Sequence, residues 1–341
     1  MNTQSLEIIL GFITGLRPIV TAEVSQYPDF RVIREEDEGI YLAFPKELKD
    51  VSKLRSVSRA YIVSRDSKYN PAFIAKHKSY LGDILTLILA GNQKAFATFK
   101  LVCAGSDSPT VRSIVEYIQN TFKIKEAEEA DLKVHIIKIG DTWEIGAQIT
   151  PRPLSSRSYR VRNMGGAMDA TIAYAVNSLA SPKNADSYLN VFSGSATLLI
   201  EAAQCYPNLK KLIGFDNNKD TISLAIQNAR KGEVMRRMRL TVKDIFDTPE
   251  LGMFDIITSD LPFGMTISKN EDLGALYQCF IEYCQRSLNE KGTLVVYTSE
   301  HKLLKDLLVK SKFKIVDSLE LKFMTSANVY LQPRIFVCQF K

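Results

Sequence analysis

The most informative segment of the chain is an apolar stretch that runs directly into an acid, a proline and an aromatic residue. Residues 254–264 read Phe-Asp-Ile-Ile-Thr-Ser-Asp-Leu-Pro-Phe-Gly. Asp260 and the carbonyl of Leu261 or Pro262 can accept hydrogen bonds, and the proline contributes no backbone donor. Phe263 offers a flat face for a planar ring. Two acceptors beside an aromatic suit an exocyclic amino group of a nucleobase, although a core strand ending in a proline turn explains the segment equally well.

Three other strand ends carry groups that suit an adenosine-bearing cofactor. After the first strand, small residues precede an apolar helix whose first N–H groups are available to a ligand. Asp216 follows the second strand, where an acid can bind ribose hydroxyls. Asp244 follows the third, where its carboxylate can accept from an adenine amino group. The candidate cofactor residues are Phe192, Ser193, Gly194, Ser195, Thr197, Asp216, Asn217, Asp244, Ile245 and Asp260.

These positions need a sheet that brings the strand ends together. From about residue 180 strands and helices alternate, which predicts βαβ units and a mostly parallel α/β sheet. The carboxyl ends of parallel strands meet at one edge, where such sheets bind ligands. Two closing strands, near 313–319 and 334–340, follow each other without a helix and indicate an antiparallel pair at the sheet edge. The dinucleotide fingerprint Gly-x-Gly-x-x-Gly is absent, which disfavours a pyrophosphate ligand.

The first 150 residues are organised differently, as an α+β region. Their strands and helices fit two small modules, 1–65 and 66–150, better than one. An arginine-rich stretch, 151–163, follows and contains no acid. With a net charge of +6, such a cluster can neutralise phosphates, although a solvated linker explains it as well. A second basic cluster, 230–239, is slightly better explained as a solvated face.

Composition excludes several classes of protein. At 341 residues the chain is too long for a typical single domain. No apolar run approaches the length of a membrane span, and the N-terminus lacks the pattern of a signal peptide, so we expect a cytoplasmic protein. The five cysteines have no Cys-x-x-Cys spacing and the three histidines lie far apart. We therefore expect reduced thiols and no bound metal.

The chain resembles an S-adenosylmethionine-dependent methyltransferase. Asp-Leu-Pro-Phe at 260–263 is similar to the Asp/Asn-Pro-Pro-Tyr/Phe motif of enzymes that methylate amides and amines. With Gly264 included, it most resembles the THUMP-domain RNA guanine-N2 methyltransferases. Arg-Ser-Tyr-Arg at 157–160 resembles the Arg-Gly-Tyr-Arg box of that family, and residues 193–202 are similar to its Gly-Ser-Gly-Thr…Ile-Glu-Ala motif.

The resemblance implies a domain order and a set of roles. A ferredoxin-like module (1–65) and a THUMP RNA-binding module (66–150) would precede a linker with an entry helix (151–180). A Rossmann-like seven-stranded methyltransferase domain (181–341) would bind S-adenosylmethionine and methylate N2 of a guanosine, most readily in tRNA. The implied catalytic residues are Asp260, Leu261, Pro262 and Phe263, and the implied contacts to structured RNA are Arg157, Arg160 and Arg162.

Two departures from the family pattern bear on the cofactor. Ala196 replaces the second glycine of the cofactor loop, and Asn190 stands where an aspartate is usual at the end of the first strand. Both keep open an alternative in which the chain is an RNA-binding scaffold with weak or lost activity. Leu261 replaces the first proline of the catalytic motif.

Other enzyme classes fit less well. A DNA-adenine or protein-glutamine methyltransferase needs no RNA-binding half, and an NAD-dependent enzyme needs the missing dinucleotide fingerprint. An rRNA guanine-N2 methyltransferase stays open, as do the modified position and the number of methyl groups. A monomer is compatible with the sequence, which leaves oligomeric state open.

Overall fold

The computed structural model describes residues 6–45, 47–90, 96–105, 108–161, 165–263, 272–326 and 329–341. Two compact units divide the chain. The first comprises residues 1–12 and 20–154, and the second comprises residues 13–19 and 155–341. No helix in these described ranges has the length and apolar character needed to cross a membrane.

The first part of the chain contains eight strands and four helices among its described residues. In chain order they are β1 (Glu7–Gly11), α1 (Arg17–Val24), β2 (Val32–Glu35), β3 (Gly39–Ala43), α2 (Leu48–Val51), β4 (Arg59–Asp66), α3 (Ile74–Ala90), β5 (Thr98–Cys103), α4 (Pro109–Phe122), β6 (Lys125–Glu126), β7 (Leu132–Ile139) and β8 (Thr142–Gln148).

These strands form one mixed sheet with the order β2-β3-β1-β4-β8-β7-β5-β6. The predicted boundary at residue 65 falls at the end of β4, but β4 pairs along its length with β8, with Arg65 opposite Glu144. The two predicted modules therefore share a single sheet within one compact unit. A pairing between strands about 80 residues apart has no local sequence signal, because each strand looks complete by itself.

The second part of the chain contains the alternating elements that the sequence predicts. They are α5 (Ala170–Leu179), β9 (Ser187–Val191), α6 (Thr197–Cys205), β10 (Lys211–Asp216), α7 (Lys219–Lys231), β11 (Met238–Val242), β12 (Phe254–Asp260), α8 (Leu273–Ser287), β13 (Leu288–Thr298), α9 (His301–Lys310), β14 (Phe313–Glu320), β15 (Phe323–Ser326), β16 (Val329–Leu331) and β17 (Arg334–Phe340).

The seven-stranded Rossmann-like sheet is confirmed, with the order β11-β10-β9-β12-β13-β17-β14. Strands β9 to β13 run parallel to one another, while β17 is antiparallel to both β13 and β14. The predicted closing antiparallel pair is therefore correct. Between its two strands the structure adds a small antiparallel pair, β15–β16, which the sequence does not predict.

Side chains alternate between the two faces along each strand, and both faces of this sheet carry apolar residues, so helices pack on both of them. Leu189 and Val191 of β9 face a core that includes Phe280 of α8 and Leu304 of α9. Tyr188, on the opposite face, donates its hydroxyl hydrogen bond to Asn177 of α5. Because both faces are covered, a ligand reaches such a sheet at the carboxyl ends of its strands.

Candidate active site

A cavity of about 740 Å³ opens at the carboxyl ends of β9, β10, β11 and β12. The structure brings together there all of the residues predicted to bind the cofactor and all four predicted to catalyse. These lining residues come from the loops after the four strands: Phe192, Ser193, Gly194, Ser195, Thr197, Asp216, Asn217, Asp244, Ile245, Asp260, Leu261, Pro262 and Phe263.

The turn after β12, residues 260–263, forms one wall of the cavity and is tied to β13. Asp260 ends β12 opposite Tyr297 of β13. The amide of Leu261 donates to the carbonyl of Tyr297 at 3.0 Å. The ring of Phe263 lies 5.5 Å from the ring of Tyr297, tilted by 60°. The carbonyl of Pro262 already accepts from the hydroxyl of Tyr277 at 2.8 Å, which favours Leu261 as the carbonyl that serves a substrate amino group.

The carboxyl group of Asp260 is held in its neutral form up to an unusually high pH. Burial raises its pKa to about 8, because protein surrounds the group and the charged form loses hydration. The hydroxyl of Tyr297 is itself buried, and this burial, together with the nearby charges of Asp260 and Asp169, raises the pKa of Tyr297. A carboxyl group in a cleft whose pKa is strongly perturbed by burial is a candidate functional group.

The loop after β9 has an unusual backbone that brings it close to the cavity. Phe192, Gly194 and Ala196 all have positive φ, at 53°, 51° and 62°. Ala196 is also the residue before the first helical residue of α6 and is fully buried. The predicted departure from glycine at this position therefore leaves the left-handed geometry intact and places its strain on an alanine.

Two acids hold the next loops in place. Asp216 accepts from the amide of Gly194 at 3.0 Å and from the amide of Asn218 at 3.1 Å, so one carboxylate links the loops after β9 and β10. Asp244 accepts from the amide of Phe246 at 3.0 Å and closes a turn after β11. Phe246 lines the cavity and is 60% exposed, so a planar group can reach its ring.

The residues present fit S-adenosylmethionine. The buried hydroxyl of Ser193 lines the cavity and has no hydrogen-bond partner among the described residues, so it is available to a polar ligand. The carboxylate of Asp216 has oxygen lone pairs beyond its two amide contacts for ribose hydroxyls. Asp244 with Ile245 can hold an adenine, and the loop at 192–196 can receive the amino-acid end.

Asn190 supports the sheet and does not line the cavity. It is fully buried, and its amide donates to the carbonyl of Thr258 at 3.2 Å. An aspartate here, usual in the family, would lose that donor and place a carboxylate against a carbonyl oxygen. The second departure from the family pattern therefore has a structural use in this chain.

From Ser155 to Val161, the arginine-rich stretch belongs to the second unit. Arg157 Nε is 3.0 Å from Glu201 Oε1, and the hydroxyl of Tyr159 donates to the same oxygen at 2.9 Å. Arg160 donates to the carbonyl of Met168. Both arginines contact other groups of the protein, which argues against a contact with RNA. The RNA contacts of Arg157 and Arg160 stay predictions. Arg162 lies outside the described residues, as does Gly264.

The cavity is also lined by residues that the sequence does not predict. Gly165, Met168 and Asp169 enter from the segment before α5, and Leu331 enters from β16. None of them belongs to a strand end that the alternation pattern marks. A signal did exist for the Arg157 partner: Glu201 is a lone acid within the apolar run Leu198–Ala203, and a buried acid requires a cation or donors.

Comparison with known proteins places the chain among methyltransferases. The UPF0020 family model, described as the RMKL-like methyltransferase domain, matches residues 157–327. The tRNA (guanine(6)-N2)-methyltransferase of Methanocaldococcus jannaschii is 24% identical over 58% of this chain and 61% of its own length. The U6 snRNA (guanine-N(2))-methyltransferase THUMPD2 of Bos taurus is 30% identical over 50% of this chain and 33% of its own. The chain thus spans less than two thirds of either relative.

Solved structures share the fold. TrmN from Thermus thermophilus superposes with a TM-score of 0.74 and 19% identity, covering 98% of this chain and 100% of that one. A putative methyltransferase, SMU.472, complexed with SAH gives a TM-score of 0.72 at 14% identity, covering 98% of both chains. At these identities the likeness concerns the fold alone.

Proposed function

The chain belongs to the RMKL-like methyltransferase family, and we propose that it transfers a methyl group from S-adenosylmethionine to the exocyclic N2 of a guanosine in structured RNA, with tRNA as the first candidate. The observation that carries the proposal is the position of the turn 260–263. Its acid, carbonyl and aromatic ring share one cavity with the loops predicted to hold the cofactor.

The chemistry required of the protein is mainly positioning. The sulfonium supplies a methyl group with its own leaving group, so the chain need not provide a covalent nucleophile. Phe263 stacks on the flipped-out base. The Asp260 carboxylate and the Leu261 carbonyl accept the two N–H groups of N2 and orient its lone pair toward the methyl group. With S-adenosylmethionine bound, transfer of its methyl group to N2 would leave S-adenosylhomocysteine and a positively charged nitrogen. The Asp260 carboxylate would stabilise that charge, and the carboxylate or solvent would accept the proton that N2 then loses.

Guanine as the base rests on the names of the relatives together with the site. The M. jannaschii and B. taurus proteins are named as guanine-N2 methyltransferases that act on tRNA and on U6 snRNA. The turn 260–263 offers a carboxylate and a backbone carbonyl, and these two acceptors match the two N–H groups of an exocyclic amine. An exocyclic amine, which reacts through its own lone pair, suits such a site.

The test compares methyl transfer with cofactor binding in one variant. The purified protein is incubated with radiolabelled S-adenosylmethionine and unmodified tRNA, rRNA or duplex DNA. We expect label in RNA, with tRNA labelled fastest. Asp260→Ala should reduce transfer at least about 100-fold while the Kd for S-adenosylhomocysteine changes less than about threefold.

Two results would contradict the proposal. Label in DNA but in no RNA would place the chain with DNA-amine methyltransferases. Binding of RNA without any binding of S-adenosylmethionine or S-adenosylhomocysteine would make it an RNA-binding scaffold that has lost the reaction.

A further inference from the structure

A buried tyrosine contacts the turn that carries the proposed chemistry. Tyr277 lies on α8 and is fully buried. Its hydroxyl oxygen is 2.8 Å from the carbonyl oxygen of Pro262 and 2.8 Å from Oγ1 of Thr298, at the end of β13. Thr298 Oγ1 in turn lies 3.0 Å from the amide nitrogen of Glu300. Three elements therefore meet through one phenol.

The direction of each hydrogen bond follows by elimination. A carbonyl can only accept, so Tyr277 donates its single hydroxyl proton to Pro262. A backbone amide can only donate, so Thr298 accepts from Glu300. The Thr298 hydroxyl proton is then left to be donated to the Tyr277 oxygen. The result is a one-way chain from Glu300 through Thr298 and Tyr277 to Pro262, in which successive bonds polarise one another.

This series of hydrogen bonds matters because its last acceptor is the carbonyl of a proline. Pro262 has no N–H, so its carbonyl is the one backbone group through which hydrogen bonding can hold it. Leu261 before it is anchored by its amide to Tyr297. Burial raises the pKa of Tyr277 above its ordinary value, so the phenol stays protonated and keeps donating across the physiological range.

We propose that Tyr277 is a positioning residue for methyl transfer: by holding the Pro262 carbonyl it fixes the Leu261 carbonyl and the Phe263 ring relative to Asp260. The role rests on the proposed function. It requires that the phenol act through the backbone of the turn, with no contact to the reacting atoms. A misplacement of such acceptors by about 1 Å can lower a rate on the order of 100-fold.

The test removes one oxygen atom at each of two matched positions. Tyr277→Phe deletes the donor to Pro262. Tyr283→Phe deletes a phenol oxygen from the same helix at an equally buried position whose ring packs against Phe215. We expect Tyr277→Phe to lower kcat about 10- to 100-fold with a less than twofold change in KM for S-adenosylmethionine. Tyr283→Phe should leave kcat within about twofold, since it does not touch the turn.

A second pair of variants tests the hydrogen bond between Thr298 and Tyr277, which lies one step further from the turn. Thr298→Val keeps the side-chain shape but removes the hydroxyl that donates to Tyr277, while Thr298→Ser keeps the hydroxyl. We expect kcat to fall in the valine variant, by less than in Tyr277→Phe, and to be retained in the serine variant. Equal loss in both Thr298 variants would indicate packing alone.

Hydrogen exchange supplies a readout that does not need activity. In Tyr277→Phe, amides of peptides covering 259–263 should exchange faster, whereas peptides covering β9 should not change. If the wild type transfers no methyl to RNA, the proposed function fails while this readout still tests the positioning of the turn. If the wild type is active and Tyr277→Phe matches it in both kcat and exchange, the positioning role is refuted.

Discussion

At the scale of single residues, Asp260 combines two properties that conflict. The proposed reaction needs its carboxylate, but burial raises the pKa of this group to about 8. A neutral acid can accept through one oxygen, and its proton then competes with the substrate amino group. The protein therefore holds the group where ionisation is costly, and a cation bound nearby would favour the charged form.

The activity should consequently depend on pH in one direction. The folded-state pKa lies above the ordinary value, so the free protein binds a proton at Asp260 below about pH 8. We expect kcat/KM at limiting S-adenosylmethionine to rise up to about tenfold per pH unit between pH 6 and the pKa, then to level off. Asp260→Asn should lose this rise along with most of its activity. A wild-type profile that is flat or falls from pH 6 to pH 9 would contradict the assignment.

Ala196 illustrates a departure from the family whose cost is local. The residue adopts φ 62°, a left-handed conformation that disfavours a Cβ. Relief of this strain should offset both the lost burial of one methyl group and the greater freedom of glycine in the unfolded chain. Ala196→Gly should therefore change the free energy of unfolding of the second unit by less than about 0.5 kcal/mol. Urea denaturation followed by circular dichroism measures this change.

The control lies in the same helix. Ala202→Gly removes a Cβ from a fully buried position in the interior of α6 and should lower stability by about 1 kcal/mol or more. An equal loss of stability in both variants would show that Ala196 is not strained.

At the scale of elements, the sequence predicts what is locally encoded. Strands β10 and β12 end in Asp216 and Asp260, and Asp244 closely follows β11, so the sequence alone predicts that these three acids lie at one edge of the sheet. It does not predict Met168 and Leu331 there, because they reach the cavity from a segment before α5 and from the antiparallel pair after β14. Their positions depend on packing between distant parts of the chain, and the hydrophobic periodicity of a sequence does not predict such packing.

The arginine-rich stretch shows the same limit. A run of arginines without acids predicts a phosphate-binding surface, but Glu201 lies 44 residues further along the chain and pairs with Arg157 inside the fold. The side chain of this arginine is only 10% exposed. Charge patterns along the sequence do not predict an ion pair between residues this far apart, because only the folded structure brings the two side chains together.

A pair of variants separates structure from RNA contact in this stretch. Arg157→Ala leaves a buried carboxylate without its cation and should cost about 3 kcal/mol of unfolding free energy. Arg152→Ala, at an exposed position, should cost less than about 0.5 kcal/mol. Thermal denaturation gives both values. If Arg157→Ala were as stable as the wild type but bound RNA more weakly, the arginine would be a phosphate contact after all.

At the scale of the whole molecule, the chain divides into two compact units with different sheets. The local patterns distinguish them correctly as α+β and α/β, but they divide the first one into two modules that the structure joins through β4 and β8. The residues that line the described cavity belong to the second unit. RNA binding by the first unit stays a prediction.

Ligand binding should therefore stabilise the two units unequally. With S-adenosylhomocysteine at about 100 times its Kd, the second unit should gain about 2.7 kcal/mol in its free energy of unfolding. Hydrogen exchange with mass spectrometry should show slower exchange at 192–197, 216–217, 244–245 and 260–263, with residues 20–154 unchanged. Protection spread evenly over both units would place the ligand elsewhere.

The measurement that tests the central claim most directly identifies the methylated atom. Unmodified tRNA is methylated with radiolabelled S-adenosylmethionine by the wild-type protein and by Asp260→Asn, digested to nucleosides and separated by chromatography. We predict label in N2-methylguanosine or N2,N2-dimethylguanosine for the wild type and at least about 100-fold less for the variant. Label in N6-methyladenosine, or equal labelling by both proteins, would contradict the account.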